Sequence, residues 1–89
     1  MARMVYAESF ISKRAEVSST RLRSRIDEML RTIEQMPGVG SALVTRSIRR
    51  RYGNNILKAI VSPYLIIYRY DRINDAVYVY DLVYARASH

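Results

Sequence analysis

Cysteine is absent from this chain, histidine occurs once, at position 89, and no acidic residue falls between positions 37 and 70. Each gap removes some chemistry. Without cysteine there are neither disulfides nor thiolate metal sites, which fits a reducing cytoplasm. A lone His at the last position, with no Cys, argues against a Ser–His–Asp or Cys–His nucleophile set. The acids are scattered singly, so no metal-ligand cluster is expected and no cofactor is implied. There is no P-loop, and Gly38-Val39-Gly40 is not a dinucleotide fingerprint, which needs a strand before it and a helix after. Those glycines are assigned to a turn. No apolar run is long enough to span a bilayer. The first fifteen residues carry Arg3, Glu8, Lys13 and Arg14, so they lack the apolar core of a signal peptide. A cytoplasmic protein with no membrane contact is expected.

What is present is charge of one sign, and it is concentrated. The 89 residues suit one domain spanning 1–89, able to close a core without staples. The net charge is +7, and thirteen of the fifteen cations are Arg. Residues 1–36 carry seven basic and five acidic side chains, residues 37–70 six and none, residues 71–89 two and three. The excess therefore sits in the middle third. Arg is the planar, bidentate binder of phosphate and carboxylate. A concentrated Arg field points to a polyanionic partner, either nucleic acid or an acidic protein. Arg49, Arg50 and Arg51 are the candidates to grip it, against the alternative of a solvated loop.

The order of elements follows from periodicity. Met4 to Ala7 reads as a first strand, extending toward Phe10. Phe10 to Val17 reads as a short helix, with Ser9 or Ser12 as N-cap. Leu22, Ile26, Met29, Leu30, Ile33 and Met36 form one stripe of a longer helix laid on a core. Ser18 or Ser19 caps its start, and Pro37-Gly38 ends it. On its far side Arg23, Asp27 and Arg31 are spaced to pair with one another. Ile48 to Tyr52 is expected as a short arginine-rich strand or a loop. Gly53-Asn54-Asn55 marks a turn. Strands follow at Ile56–Val61, Tyr64–Tyr70 and Ala76–Tyr84. Short links favour antiparallel neighbours. The expected fold is α+β, a two-layer sandwich with an N-terminal strand and helices packed on a mainly antiparallel sheet.

Alternation sorts the strand residues into faces. Leu65, Ile67 and Arg69 share one side; Tyr64, Ile66, Tyr68 and Tyr70 share the other, where core packing is expected. Tyr78 and Tyr80 lie opposite Val77 and Val79 and are candidates for an open face that docks a partner. An Arg among apolar strand residues needs an anionic partner or solvent. Arg69 is accordingly the first candidate site residue, followed by Lys58. Such Arg, Lys and Tyr groups can stabilise the charge of a pentacoordinate phosphate during RNA cleavage. The same groups can equally hold phosphates without reaction.

The run "RIDEMLRTIEQMPGVG" followed by "LKAIVSPYLIIYRYDRINDAVYVYDLVYARA" resembles the RelE/ParE superfamily of toxins from toxin–antitoxin pairs, over nearly the whole chain. The resemblance implies a small bacterial toxin, of the kind linked to plasmid stabilisation, neutralised by a cognate antitoxin. Some members are metal-independent endoribonucleases acting on mRNA in the ribosome, and others inhibit DNA gyrase. A non-toxic binding module is the third reading, and a second copy of the chain is a further candidate partner. Carried over by position, Lys58 falls at a common basic strand residue, Tyr84 where the last strand often has His, and Arg86 in the basic tail. Lys58, Arg69, Tyr84 and Arg86 are thus the catalytic candidates. Arg49, Arg50, Arg51, Tyr78 and Tyr80 are the candidates for binding nucleic acid or antitoxin. Leu65 stands where ribonuclease members often carry an arginine, and Ala85 where a basic residue often follows. Arg69 lies on the same face as Leu65, four residues further along the strand, roughly 13 Å away.

Overall fold

The apolar stripe of the long helix is where the core begins. In the computed structural model, which describes residues 1–85, that helix is α2, Thr20–Gln35, with Ile26, Leu30 and Ile33 buried. Ser19 caps it, its hydroxyl accepting from Leu22 N–H at 3.2 Å. Before it come β1 (Arg3–Tyr6) and α1 (Glu8–Glu16). After it come one 3₁₀ turn (Pro37–Val39), α3 (Arg46–Tyr52), β2 (Leu57–Val61), β3 (Tyr64–Asp71) and β4 (Ala76–Tyr84). The sheet order is β1-β4-β3-β2; β2, β3 and β4 form an antiparallel meander, and β1 runs parallel to β4. This is the expected α+β sandwich.

α1 and α2 cover one face of the sheet, here called the helix face. Phe10, Ile26 and Ile33 pack there against Ile66, Tyr68 and Val79. On the opposite, outer face a second cluster forms from Ile48, Ile56, Leu65 and Ile67. β3 is therefore buried on both sides from Leu65 to Tyr68, which its unbroken apolar run requires.

Three expectations are corrected. Ile48–Tyr52 is neither strand nor loop but part of α3. Thr45 caps that helix by accepting from Ile48 N–H at 3.2 Å, Arg49, Arg50 and Arg51 fall in its last turn, and cations there oppose the negative helix end. Gly53, at φ 109°, ends it in a conformation that favours glycine. β1 does not run toward Phe10, because α1 already begins at Glu8. Ala7 stands at its N-cap, and neither Ser9 nor Ser12 caps it; the Ser9 hydroxyl donates instead to Tyr80 C=O at 2.9 Å. Asp27 does not pair along α2. It accepts two bonds from Arg14, at 2.8 and 2.6 Å, and so ties α1 to α2.

The loop after α2 is pinned to β3 by one phenol. Tyr68, fully buried, donates to Pro37 C=O and accepts from Gly40 N–H, both at 2.8 Å. Ser41 then exchanges both backbone bonds with Lys58 at the edge of β2, at 2.9 Å each. A Cβ at Gly40 would lie 2.5 Å from the Tyr68 hydroxyl and 2.9 Å from Lys58 C=O. Close approach, beyond turn geometry, is what demands glycine there. Tyr68→Phe is expected to cost about 1–2 kcal/mol by orphaning the Gly40 N–H. Gly40→Ala should be destabilising as well, and the double variant should lose less than the sum, since removing the hydroxyl relieves the nearest clash. Urea unfolding of the three variants checks this, and strict additivity would contradict the coupling.

Candidate functional site

α3 is only two turns long, so it shields one half of the outer face and leaves the other half uncovered. The uncovered half is where alternation brings the cations. Lys58 on β2 stands across from Ile67, and Arg69 on β3 stands across from Tyr78 on β4. Val5 continues the row from Tyr78 onto β1, and the exposed Arg3 follows it on the same side. Lys58, Arg69 and Arg3 thus lie on the same outer side of the sheet as Tyr78 and Tyr80.

Arg69 is held, not loose. Its Nε donates to the Tyr80 hydroxyl at 3.0 Å, and its guanidinium lies 4.8 Å from the centre of the Tyr78 ring. The hydrogen bond to Tyr80 also pushes the guanidinium pKa up, and a guanidinium is charged at any working pH. With Nε engaged, the two terminal nitrogens remain for a bidentate anion. The stack continues toward α3. Tyr80 lies parallel to Tyr52, ring centres 6.4 Å apart at 11°, and Arg51 sits 5.6 Å from the Tyr52 ring centre. Arg51, Tyr52, Tyr80, Arg69 and Tyr78 therefore form one continuous row of cations and aromatic rings.

A bulge interrupts β4 beside this row. Ile67 is paired with Asp81 and Tyr68 with Val79, leaving Tyr80 as the extra residue. Two consecutive residues of β4, Tyr80 and Asp81, consequently occupy the outer side. With strict alternation Asp81 would point into the apolar core and Leu82 out of it. Instead Leu82 is buried in the core, and Asp81 is 2% exposed, held between Lys13 of α1 and Tyr52 of α3. The Asp81 carboxylate meets Lys13 of α1 at 2.9 Å, the Tyr52 hydroxyl of α3, and Leu82 N–H at 2.9 Å. Burial pushes this carboxyl up, but the hydrogen bonds from Tyr52, Lys13 and Leu82 outweigh it and hold the group below the usual carboxylate range. Burial and the Asp81 carboxylate together push the Tyr52 phenol up to about 12.

The candidates named from sequence separate accordingly. Arg69, Tyr78 and Tyr80 come together, and Lys58 lies on the same outer side of the sheet, on the edge strand across from the buried Ile67. Arg49, Arg50 and Arg51 are exposed on α3, and Arg51 joins the row through Tyr52. Tyr84 lies apart, at the far end of β4 and edge-on to Tyr64 at 5.6 Å, beside a groove of about 690 Å³ between α1 and α3. Arg86 lies outside the described residues. Arg3, Lys13, Tyr52 and Asp81 were missed. The available signal was Asp81, a lone acid inside the apolar run of β4. Among the described residues no three His, Cys, Asp or Glu side chains gather to hold a metal, and no helix is long and apolar enough to cross a membrane.

The Asp81 node sets two limits on stability. The folded value of Asp81 lies below its ordinary 3.8, so its contribution is present above that pH and lost as pH falls through the lowered value. The folded value of Tyr52 lies above its ordinary 10.0, so its contribution is present below pH 10.0 and lost as pH rises toward about 12. Urea midpoints followed across pH should show a flatter acid limb for Asp81→Asn and a flatter alkaline limb for Tyr52→Phe. Limbs identical to the parent protein would contradict the assignment.

With the geometry in hand, comparison with known proteins is informative at the level of fold. No protein-family model matches the chain, and no curated protein sequence does. Solved structures do. The isolated E. coli RelE toxin superposes with a TM-score of 0.73 at 12% identity, over 96% of this chain and 85% of that one. A chain of the intact E. coli RelBE toxin–antitoxin complex gives 0.68 at 13%, over 92% and 94%. The YoeB/ParE toxin from Agrobacterium tumefaciens gives 0.70 at 11%, over 92% and 96%. The chain has the fold of the RelE and YoeB/ParE toxins.

Proposed function

We propose that this chain is the toxin of a toxin–antitoxin pair and that the open half of the outer face is its effector surface, a metal-independent endoribonuclease acting on mRNA in the ribosome. The observation that carries the reading is Arg69, anchored by Tyr80 and Tyr78 with its terminal nitrogens free, on a toxin fold. A guanidinium so placed binds a backbone phosphate bidentately and stabilises the extra charge of a pentacoordinate intermediate. Lys58, on the same face, supplies a second cation for that charge or for orienting the attacking 2′-hydroxyl. Arg49 and Arg50 on α3 add phosphate contacts beyond the reacting bond. An antitoxin with an acidic segment would neutralise the protein by covering this basic face.

One observation favours a second reading, inhibition of DNA gyrase without cleavage. Leu65, where ribonuclease members of the resembled family often carry an arginine, is buried in the cluster beneath α3 and offers nothing to a phosphate. The two readings part in one set of assays. Under the first, induced expression arrests growth and primer extension finds new, translation-dependent 5′ ends. Arg69→Ala then lowers cleavage by about 10²–10³-fold, the usual loss for one charge-stabilising donor. RNA binding also falls steeply with added salt as counterions are released. No new 5′ ends, together with loss of gyrase supercoiling on adding the protein, would replace the first reading with the second.

A further inference from the structure

Asp81 is the one charged side chain buried among the described residues, and it lies on the outer side of a sheet whose open half collects cations. Its partners divide into two branches. Lys13 fastens it to α1. Tyr52 fastens it to α3 and leads onward. The Tyr52 ring lies parallel to Tyr80, the Tyr80 hydroxyl receives the Arg69 Nε–H at 3.0 Å, and Arg69 lies over Tyr78.

We infer that Asp81 is a positioning residue for Arg69, acting through Tyr52 and Tyr80, so that the guanidinium is set for a backbone phosphate of single-stranded RNA before the ligand arrives. The inference rests on the reading of the open half as a phosphate-binding surface. A phenol bonded to a buried carboxylate makes a stronger hydrogen bond than a neutral pair would, which fixes the Tyr52 ring. Tyr80 needs that support, because as the bulged residue it has no partner in the strand register. With Tyr52 packed against it, the Tyr80 hydroxyl stays at one point, and Arg69 is held there by Nε. An arginine tethered in this way loses less rotamer freedom on binding, and that is the gain from preorganisation. A residue with a purely structural role would also be expected to hold α1 and α3 in place, so the two branches must be tested separately.

Tyr52→Phe keeps the ring and removes only the bond to Asp81. Lys13→Met cuts the other branch and leaves the Tyr52 bond intact. Asp81→Asn weakens both, and if it fails to fold the first two variants still decide the matter. The Arg69 Nε–H signal, identified in proton–nitrogen correlation spectra by its loss in Arg69→Lys, reports the guanidinium directly. A short fluorescein-labelled single-stranded RNA, followed by anisotropy, reports binding. Tyr52→Phe should move the Arg69 signal as Tyr80→Phe does and weaken RNA binding about tenfold, the loss of one well-placed charged hydrogen bond. Lys13→Met should lower the unfolding midpoint and leave the Arg69 signal in place. An Arg69 signal unmoved by Tyr52→Phe, or moved equally by Lys13→Met, overturns the inference. If the parent protein fails to bind the RNA while the signal moves as expected, positioning stands and the phosphate-binding reading falls.

Discussion

The structure depends on a mismatch between sheet and cover. β3 is apolar on both sides from Leu65 to Tyr68, so both faces of the sheet need burial. α1 and α2 cover the centre of the helix face, with Ile26 and Ile33 completely buried. α3, only Arg46–Tyr52, brings a single buried residue, Ile48, to the outer face. It closes over Leu65 and Ile67 and stops. Around Leu65 and Ile67 the strand residues on that side change from aliphatic to Lys58, Arg69, Tyr78 and Tyr80, with Tyr80 lying against Tyr52 at the border of α3. Half of one sheet face is thus left uncovered, and the residues on it are suited to water and to an anion.

Asp81 shows how the covered and open halves are joined. Burying a carboxylate is costly unless it is paired and hydrogen-bonded, and here Lys13, Tyr52 and Leu82 N–H satisfy it together. In a chain of net charge +7, this acid draws one lysine and one phenol to itself. The helices that carry them are fixed over β4 as a result. The bulge at Tyr80 places acid and aromatic on the same side, which links the node to the row ending at Arg69.

How much of this was legible depended on how far each signal extends along the chain. α2 was readable because six apolar residues repeat over four turns, and the meander because alternation and turn residues agree from Ile56 to Tyr84. α3 was not, since seven residues with one buried position leave no period to detect; its identity rests on the Thr45 cap and on packing against distant strands. α1 was misjudged at its start because Ser9 looks like a cap, whereas its hydroxyl is used by Tyr80 C=O. For the site, strand parity found Arg69, Lys58, Tyr78 and Tyr80. It failed beyond Tyr80, where the bulge reverses the faces. Tyr52 and Asp81, 29 positions apart, meet only through tertiary structure, so spacing carried no trace of them.

Whether the uncovered half of the outer face is the working surface can be read most directly by mapping amide and side-chain shifts as a short single-stranded RNA is titrated into the isotopically labelled protein. The account predicts changes centred on Lys58, Arg69, Tyr78 and Tyr80, extending to Arg3 on one side and Arg51 on the other, with the arginines of α2 unaffected. Changes centred on Arg21, Arg25 and Arg31 of α2, with Arg69 silent, would contradict it.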